Sequence, residues 1–177
     1  NDMAKKPDML APINRDAISA LNSGIRTCLD IVRQDIGQIE PGWARTAICV
    51  YLLINLHDVM RILDRAGHRL SWTEDLPNDI DVTNQVKIVR DAMCHIGSGR
   101  RDVDEFKNSL HFGFAIGKCV LAKMNDRILE NPYEDDQALF MGHNRLLVRR
   151  HLHRSVLEAA RLGPEIAKAH GLHWHPI

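Results

Sequence analysis

The sequence of 177 residues contains few aromatic residues, has no formal net charge and includes only four cysteines. Aromatic residues make up only 5% of the chain, whereas hydrophobic residues reach 45% and are mostly aliphatic, which favours packed helices. The 23 basic and 23 acidic residues cancel, which excludes a protein that coats nucleic acid nonspecifically but leaves room for a local basic patch. The four cysteines lie far apart in apolar surroundings, so we expect reduced, buried thiols in a cytoplasmic protein.

Several functional sequence patterns are also missing. No secretory signal is visible, and the longest apolar run, residues 47–56, is too short to cross a bilayer, so we expect a soluble protein without a membrane partner. The absence of a Walker loop, GxGxxG, GxSxG and HExxH leaves nucleotide-binding, hydrolase-elbow and zinc-protease functions without support. His170, His173 and His175 near the C-terminus are potential metal ligands, but no acid or cysteine has ligand spacing with them. We therefore expect no metal and no cofactor.

Hydrophobic spacing predicts a mainly α-helical chain. We expect a flexible arm at 1–13, a single helical domain at 14–169 and a His-rich, frayed tail at 170–177. Apolar residues three and four positions apart predict helices at about 16–38 and 43–66. A third helix begins near Asp81 or Thr83 and ends at Gly97 or Gly99, and Asn144 is predicted to cap a last long helix.

The segment before this last helix shows strand-like periodicity. Large and small residues alternate at 110–117 and 135–142, and Asn125–Asp126 has the composition of a hairpin turn. We therefore expect a small antiparallel sheet at about 110–142. The predicted fold is an up-and-down four-helix bundle with this sheet inserted before the last long helix.

The third helix carries the residues that suggest chemistry. On a helix, its apolar residues share one side, and the opposite side presents Lys87, Arg90, Asp91, Cys94, His95 and Ser98. Asp91 and His95 are four positions apart, so we expect their side chains to touch.

These side chains suit RNA phosphodiester cleavage without a metal ion. His95 would move the proton of the 2′-hydroxyl or of the leaving oxygen, Arg90 would neutralise charge on the phosphorus, and Asp91 would orient the imidazole. Lys87, Arg100 and Arg101 adjoin these residues and are the expected substrate-binding cations. One helix supplies a single imidazole, so a symmetric dimer would supply the second.

The order Arg90-Asp91-x-x-x-His95 near the end of a third helix resembles the signature of the HEPN superfamily. This resemblance implies a compact helical bundle that forms a homodimer in which two motifs face one cleft. It also implies a metal-independent ribonuclease, in some members the toxin of a toxin–antitoxin or phage-defence system, with an antitoxin or other protein as partner. Arg90, Asp91 and His95 would then be the catalytic set. Other members have lost catalysis and act as binding or dimerisation modules.

Three polar features have alternative interpretations. Arg90, Asp91 and His95 are also compatible with an ordinary solvated helix face, on which a cation near the C-terminus is favourable. In the apolar second helix, His57 and Asp58 either form a buried polar pair satisfied by neighbours or line the site. The arginines of the last helix either form a solvated face or bind phosphate.

Overall fold

The computed structural model describes residues 12–77, 79–95, 99–103, 108–125 and 127–177. Most of the predicted N-terminal arm therefore lies outside the described residues. Within them the chain forms four α-helices, namely α1 (Arg15–Val32), α2 (Trp43–Arg65), α3 (Val82–Cys94) and α4 (Arg154–Ala169). Five strands lie between α3 and α4, namely β1 (Gly113–Ile116), β2 (Cys119–Met124), β3 (Arg127–Asn131), β4 (Gln137–Met141) and β5 (Asn144–Leu147).

Side-chain caps define where the first and third helices begin. Asn14 Oδ1 accepts from the backbone N–H of Ala17, and Asp81 Oδ1 accepts from that of Asn84, as expected for residues that precede a first helical turn. The predicted starts of α1 and α3 are thus confirmed. The end predicted for α1 is wrong, because the helix stops at Val32 and a separate 3₁₀ turn follows at Ile36–Gln38.

The main hydrophobic core lies between the four helices. α2 packs against α1, α3 and α4 and contributes ten buried residues, the most of any helix. By length and composition alone α2 could cross a membrane, but half of its most apolar window is buried inside the fold. The core helix of a soluble protein has these properties, so the structure is compatible with a soluble protein.

The predicted fold class is wrong. The structure is not a mainly α bundle with one small inserted sheet, because only about half of the described residues are helical and the strands form two separate antiparallel sheets. One sheet has the order β1-β4-β5, and the other is the β2-β3 hairpin. The strands bury a second hydrophobic cluster around Phe140, Leu129 and Leu147. They therefore form a packed unit that follows the first three helices, with its own core.

The polypeptide enters α4 differently from the prediction. Asn144 does not cap a helix but lies in β5, and a π-helical turn at Val148–His153 leads into α4. The tail after α4 is also not frayed. The ring of Trp174 packs on Gly163, where a Cβ atom would lie 2.3 Å from the ring, and Asn22 Nδ2 donates to the carbonyl of His175 at 2.6 Å. These contacts attach the C-terminus to α4 and α1.

Candidate functional site

Arg90 lies at the contact between α2 and α3. The apolar side of α3 is buried in the core, which directs the opposite side of the helix toward α2 and solvent. The guanidinium of Arg90 places Nη2 2.9 Å from Nδ1 of His57 on α2, and Nη1 2.8 Å from Oδ1 of Asp91. The side chain remains about a quarter exposed. Arg90 is therefore oriented by two neighbours while one side of it still faces solvent.

Asp91 lies between two cations. Its Oδ2 is 2.9 Å from Nζ of Lys87, one turn earlier on the same helix, and its Oδ1 binds Arg90. This arrangement brings together three of the residues that the sequence singled out. Because the two cations share the carboxylate of Asp91, this face of α3 keeps a smaller net positive charge, which attracts anions.

The predicted contact between Asp91 and His95 does not form. α3 ends at Cys94, and His95 has extended backbone angles (φ −117°, ψ 104°), so its side chain leaves the helical register that would place it over Asp91. The imidazole of His95 is exposed, and it makes no hydrogen bond or ion pair with any residue that the structure describes. It is thus a free imidazole at the end of the helix that carries Arg90.

His57 was not assigned to the site by the sequence motif, but it is the partner that Arg90 finds on a different helix. The imidazole is buried, and Nη2 of Arg90 lies 2.9 Å from its Nδ1 and 3.3 Å from its Nε2. Because a guanidinium can only donate, this contact favours a neutral ring. Burial lowers the pKa of His57, the charge of Arg90 lowers it further, and Asp58, 3.6 Å away, opposes them. The only sequence signal was a polar residue interrupting an apolar helix.

An open pocket of about 460 Å³ adjoins these residues between α2 and α3. Its wall combines basic, acidic and neutral polar side chains, namely His57, Arg61, Asp64, Arg69, Thr83, Asn84, Lys87 and Arg90. Arg69 is neutralised by Asp64 and Asp81, at 2.7 and 2.8 Å, whereas Arg61 has no ion-pair partner among the described residues. The wall therefore carries the cations of Arg61, Lys87 and Arg90 beside the carboxylate of Asp64, and among the described residues Arg61 is the cation left for a phosphate or another anion to pair with.

The two arginines after α3 have different positions. Arg101 is buried, and its guanidinium donates to the carbonyls of Ala92 and Met93 at 2.8 and 3.3 Å, with His111 Nδ1 2.9 Å from Nη1. These bonds satisfy carbonyls at the C-terminus of α3. Arg101 thus stabilises the end of α3, and it is not among the residues that line the α2–α3 pocket. The backbone of Arg100 lies in the adjacent 3₁₀ turn, but its side chain lies outside the described part of the structure.

The remaining candidates lie away from this pocket. Arg150 on the turn before α4 is paired with Asp135 and Asp136, and Arg161 on α4 is paired with Glu158 and Glu165. The described residues contain no group of three or more His, Cys, Asp or Glu side chains placed to hold a metal ion.

The four cysteines are all free, but only two of them are buried as predicted. Cys28 and Cys49 lie in the core, where burial raises the pKa of each thiol to about 12. Cys94 and Cys119 are exposed, which corrects the expectation that every cysteine is buried.

Comparisons of the chain with protein-family models, with curated proteins and with solved structures find no match.

Proposed function

We propose that the protein is a cytoplasmic, metal-independent endoribonuclease that acts as a homodimer and binds the RNA backbone at the α2–α3 pocket. One observation supports this proposal above the others. Arg90 is fixed by His57 and Asp91 at the wall of an open pocket that also carries Lys87 and Arg61. A guanidinium held in this way can neutralise charge on a phosphate without first losing conformational freedom.

The reaction would cleave the chain by attack of a 2′-hydroxyl on the adjacent phosphorus. A base removes the 2′-hydroxyl proton, the new O–P bond forms, and the bond to the 5′-oxygen breaks as an acid protonates that oxygen. The products are a 2′,3′-cyclic phosphate and a free 5′-hydroxyl. We assign proton transfer to the exposed imidazole of His95 and charge neutralisation to Arg90 and Lys87. His57, which is buried against Arg90, acts as a positioning residue.

The second imidazole that acid–base catalysis needs would come from the other copy of the chain. A protein partner such as an antitoxin stays a prediction of the sequence resemblance. The four free thiols are the reason for proposing a cytoplasmic location.

Incubation of the purified full chain with a mixture of RNAs in EDTA tests the activity. We expect fragments that end in 2′,3′-cyclic phosphate, and we expect His95→Ala and Arg90→Ala each to reduce cleavage by about 10²-fold or more. His170→Ala is the matched control, because His170 is an exposed histidine at the end of α4. The proposal fails if the wild type leaves all RNAs intact, or if His95→Ala cleaves as well as His170→Ala.

A second candidate function is anion or RNA binding without cleavage. It is favoured by the fact that Asp91 and His57 already occupy hydrogen-bonding positions of Arg90, while His95 has no partner to orient it among the described residues. Fluorescence anisotropy with a labelled RNA distinguishes the two functions. Binding that weakens in Arg90→Ala and Lys87→Ala, without any cleavage by the wild type, would support the binding module.

A further inference from the structure

A cavity of about 510 Å³ lies between the first turns of α1 and the C-terminal tail, and it shares no residue with the α2–α3 pocket. The residues that α1 contributes are three and four positions apart, so they share one face of the helix, and the tail forms the opposite wall. Its polar side chains are Arg15, Ser19, Asn22, His173 and His175. We call this cavity the tail pocket.

The tail is held in position along its length. Gly171 has a φ of 66°, and the backbone N–H of Leu172 donates to the carbonyl of Ala167 at 2.8 Å, so the chain turns back at the end of α4. The packing of Trp174 on α4 and two hydrogen bonds from α1 side chains to tail carbonyls hold the residues that follow. The two histidines that flank Trp174 in sequence are therefore fixed against α1 before any ligand binds.

The charges around the tail pocket favour an anion over a metal ion. The rings of His173 and His175 are in contact, with their centroids 4.5 Å apart. The guanidinium of Arg15 is exposed, and it makes no hydrogen bond or ion pair with the described part of the chain. None of the described residues that line the pocket is acidic. A permanent positive charge beside two imidazoles, without a carboxylate in the wall, attracts an anion and repels a metal cation.

We propose that the tail pocket binds a small organic phosphate monoester. Arg15 and the two imidazoles contact the phosphate oxygens, and these charge-assisted hydrogen bonds are the strong ones in such a site. The cavity volume lies within the range of small-molecule sites, so the ligand carries an organic body beside its phosphate group. Ile18 and Leu172 provide apolar surface for that body. This site does not depend on the proposed nuclease activity.

Isothermal titration calorimetry of the full chain with AMP as the probe, and with adenosine as the unphosphorylated control, tests the site. We expect AMP to bind at least about tenfold more tightly than adenosine. Arg15→Gln and the double variant His173→Asn/His175→Asn should each weaken AMP binding by about tenfold or more, because each removes charge-assisted hydrogen bonds. Arg33→Gln and His170→Asn are the matched controls, because these exposed residues at the C-terminal caps of α1 and α4 do not line the pocket.

NMR of the histidine rings gives a second measurement that needs no variant of the pocket. AMP should shift the ring resonances of His173 and His175 and leave those of His170 in place. The proposal is overturned if the wild type does not bind AMP, if adenosine binds as tightly, or if Arg15→Gln retains full affinity. AMP binding that is lost in Arg90→Ala but kept in Arg15→Gln would assign the ligand to the α2–α3 pocket instead. Binding of Zn²⁺ without binding of AMP would show that the two imidazoles form a metal site.

Discussion

We expect the replacement of Asp136 to destabilise the fold much more than the replacement of its exposed neighbour Asp135. It lies just before β4, and its carboxylate is fully buried in contact with the start of the helical segment that leads into α4. Its oxygens accept from the backbone N–H groups of Gln137, Arg149 and Arg150 at 2.7, 2.8 and 3.1 Å, and from Nη1 of Arg150 at 3.0 Å. One buried side chain thus joins the three-stranded sheet to the last helix.

The expected cost follows from these four hydrogen bonds. Asp136→Ala leaves three backbone donors without their acceptor, while the guanidinium of Arg150, 31% exposed, keeps Asp135. Because each buried donor without an acceptor costs about 1–3 kcal/mol, we expect a loss of about 3–5 kcal/mol. In a domain of this size, such a loss lowers the melting temperature by roughly 6–20 °C. Asp135→Ala is the matched control. Asp135 also pairs with Arg150, but its side chain is 54% exposed, and exposed ion pairs contribute little.

Urea unfolding followed by far-UV circular dichroism measures both variants against the wild type. We expect Asp136→Ala to lower the urea midpoint markedly and Asp135→Ala to leave it almost unchanged. Equal losses in the two variants would refute the argument, because they would show that burial and backbone acceptance by Asp136 do not determine its contribution.

Three further predictions concern buried polar groups and the tail. Arg101→Met should lower the free energy of unfolding by about 2–3 kcal/mol because it releases the carbonyls at the end of α3, whereas an effect too small to detect in urea unfolding would contradict this role. Burial lowers the pKa of both His57 and His151, so at these two positions the unfolded chain gains protons before the folded chain does as the pH falls below about 6.5. The free energy of unfolding should therefore decrease as the pH is lowered in this range, by up to about 1.4 kcal/mol per pH unit for each group. His57→Asn should reduce the slope of the free energy of unfolding against pH, as measured by urea unfolding. Gly163→Ala should destabilise the wild type through its clash with Trp174 but have little effect in a Trp174→Ala background, so equal effects in a double-mutant cycle would show that the tail is not docked there.

Local signals predicted the parts of the fold that depend on neighbours in sequence. The 3.6-residue period predicted α1 and α2, and the capping residues Asp81 or Thr83 predicted the start of α3. The dipeptide Asn125–Asp126 predicted the β2–β3 hairpin, in which Asn125 has a φ of 52°. Each of these features needs contacts within a few residues. For this reason a single sequence was sufficient to locate them.

The features that the sequence missed depend on distant contacts. Residues 144–147 were predicted as helix because Leu146 and Leu147 continue the apolar spacing of α4, yet they pair with β4 as the edge of the three-stranded sheet. In the same way, Ile36 and Ile39 extend the period of α1 beyond Val32, although the helix has ended. Periodicity shows which residues can share a face, but strand pairing and packing decide whether a helix forms.

The same difference between local and distant contacts applies to the candidate site. The sequence placed Arg90, Asp91 and Lys87 on one helix face, and the structure brings these three together. It could not identify the contact of Arg90 with His57, because these residues are 33 positions apart and meet only through the packing of α2 on α3. It also assumed that α3 continues past His95, and this assumption produced the predicted pair with Asp91.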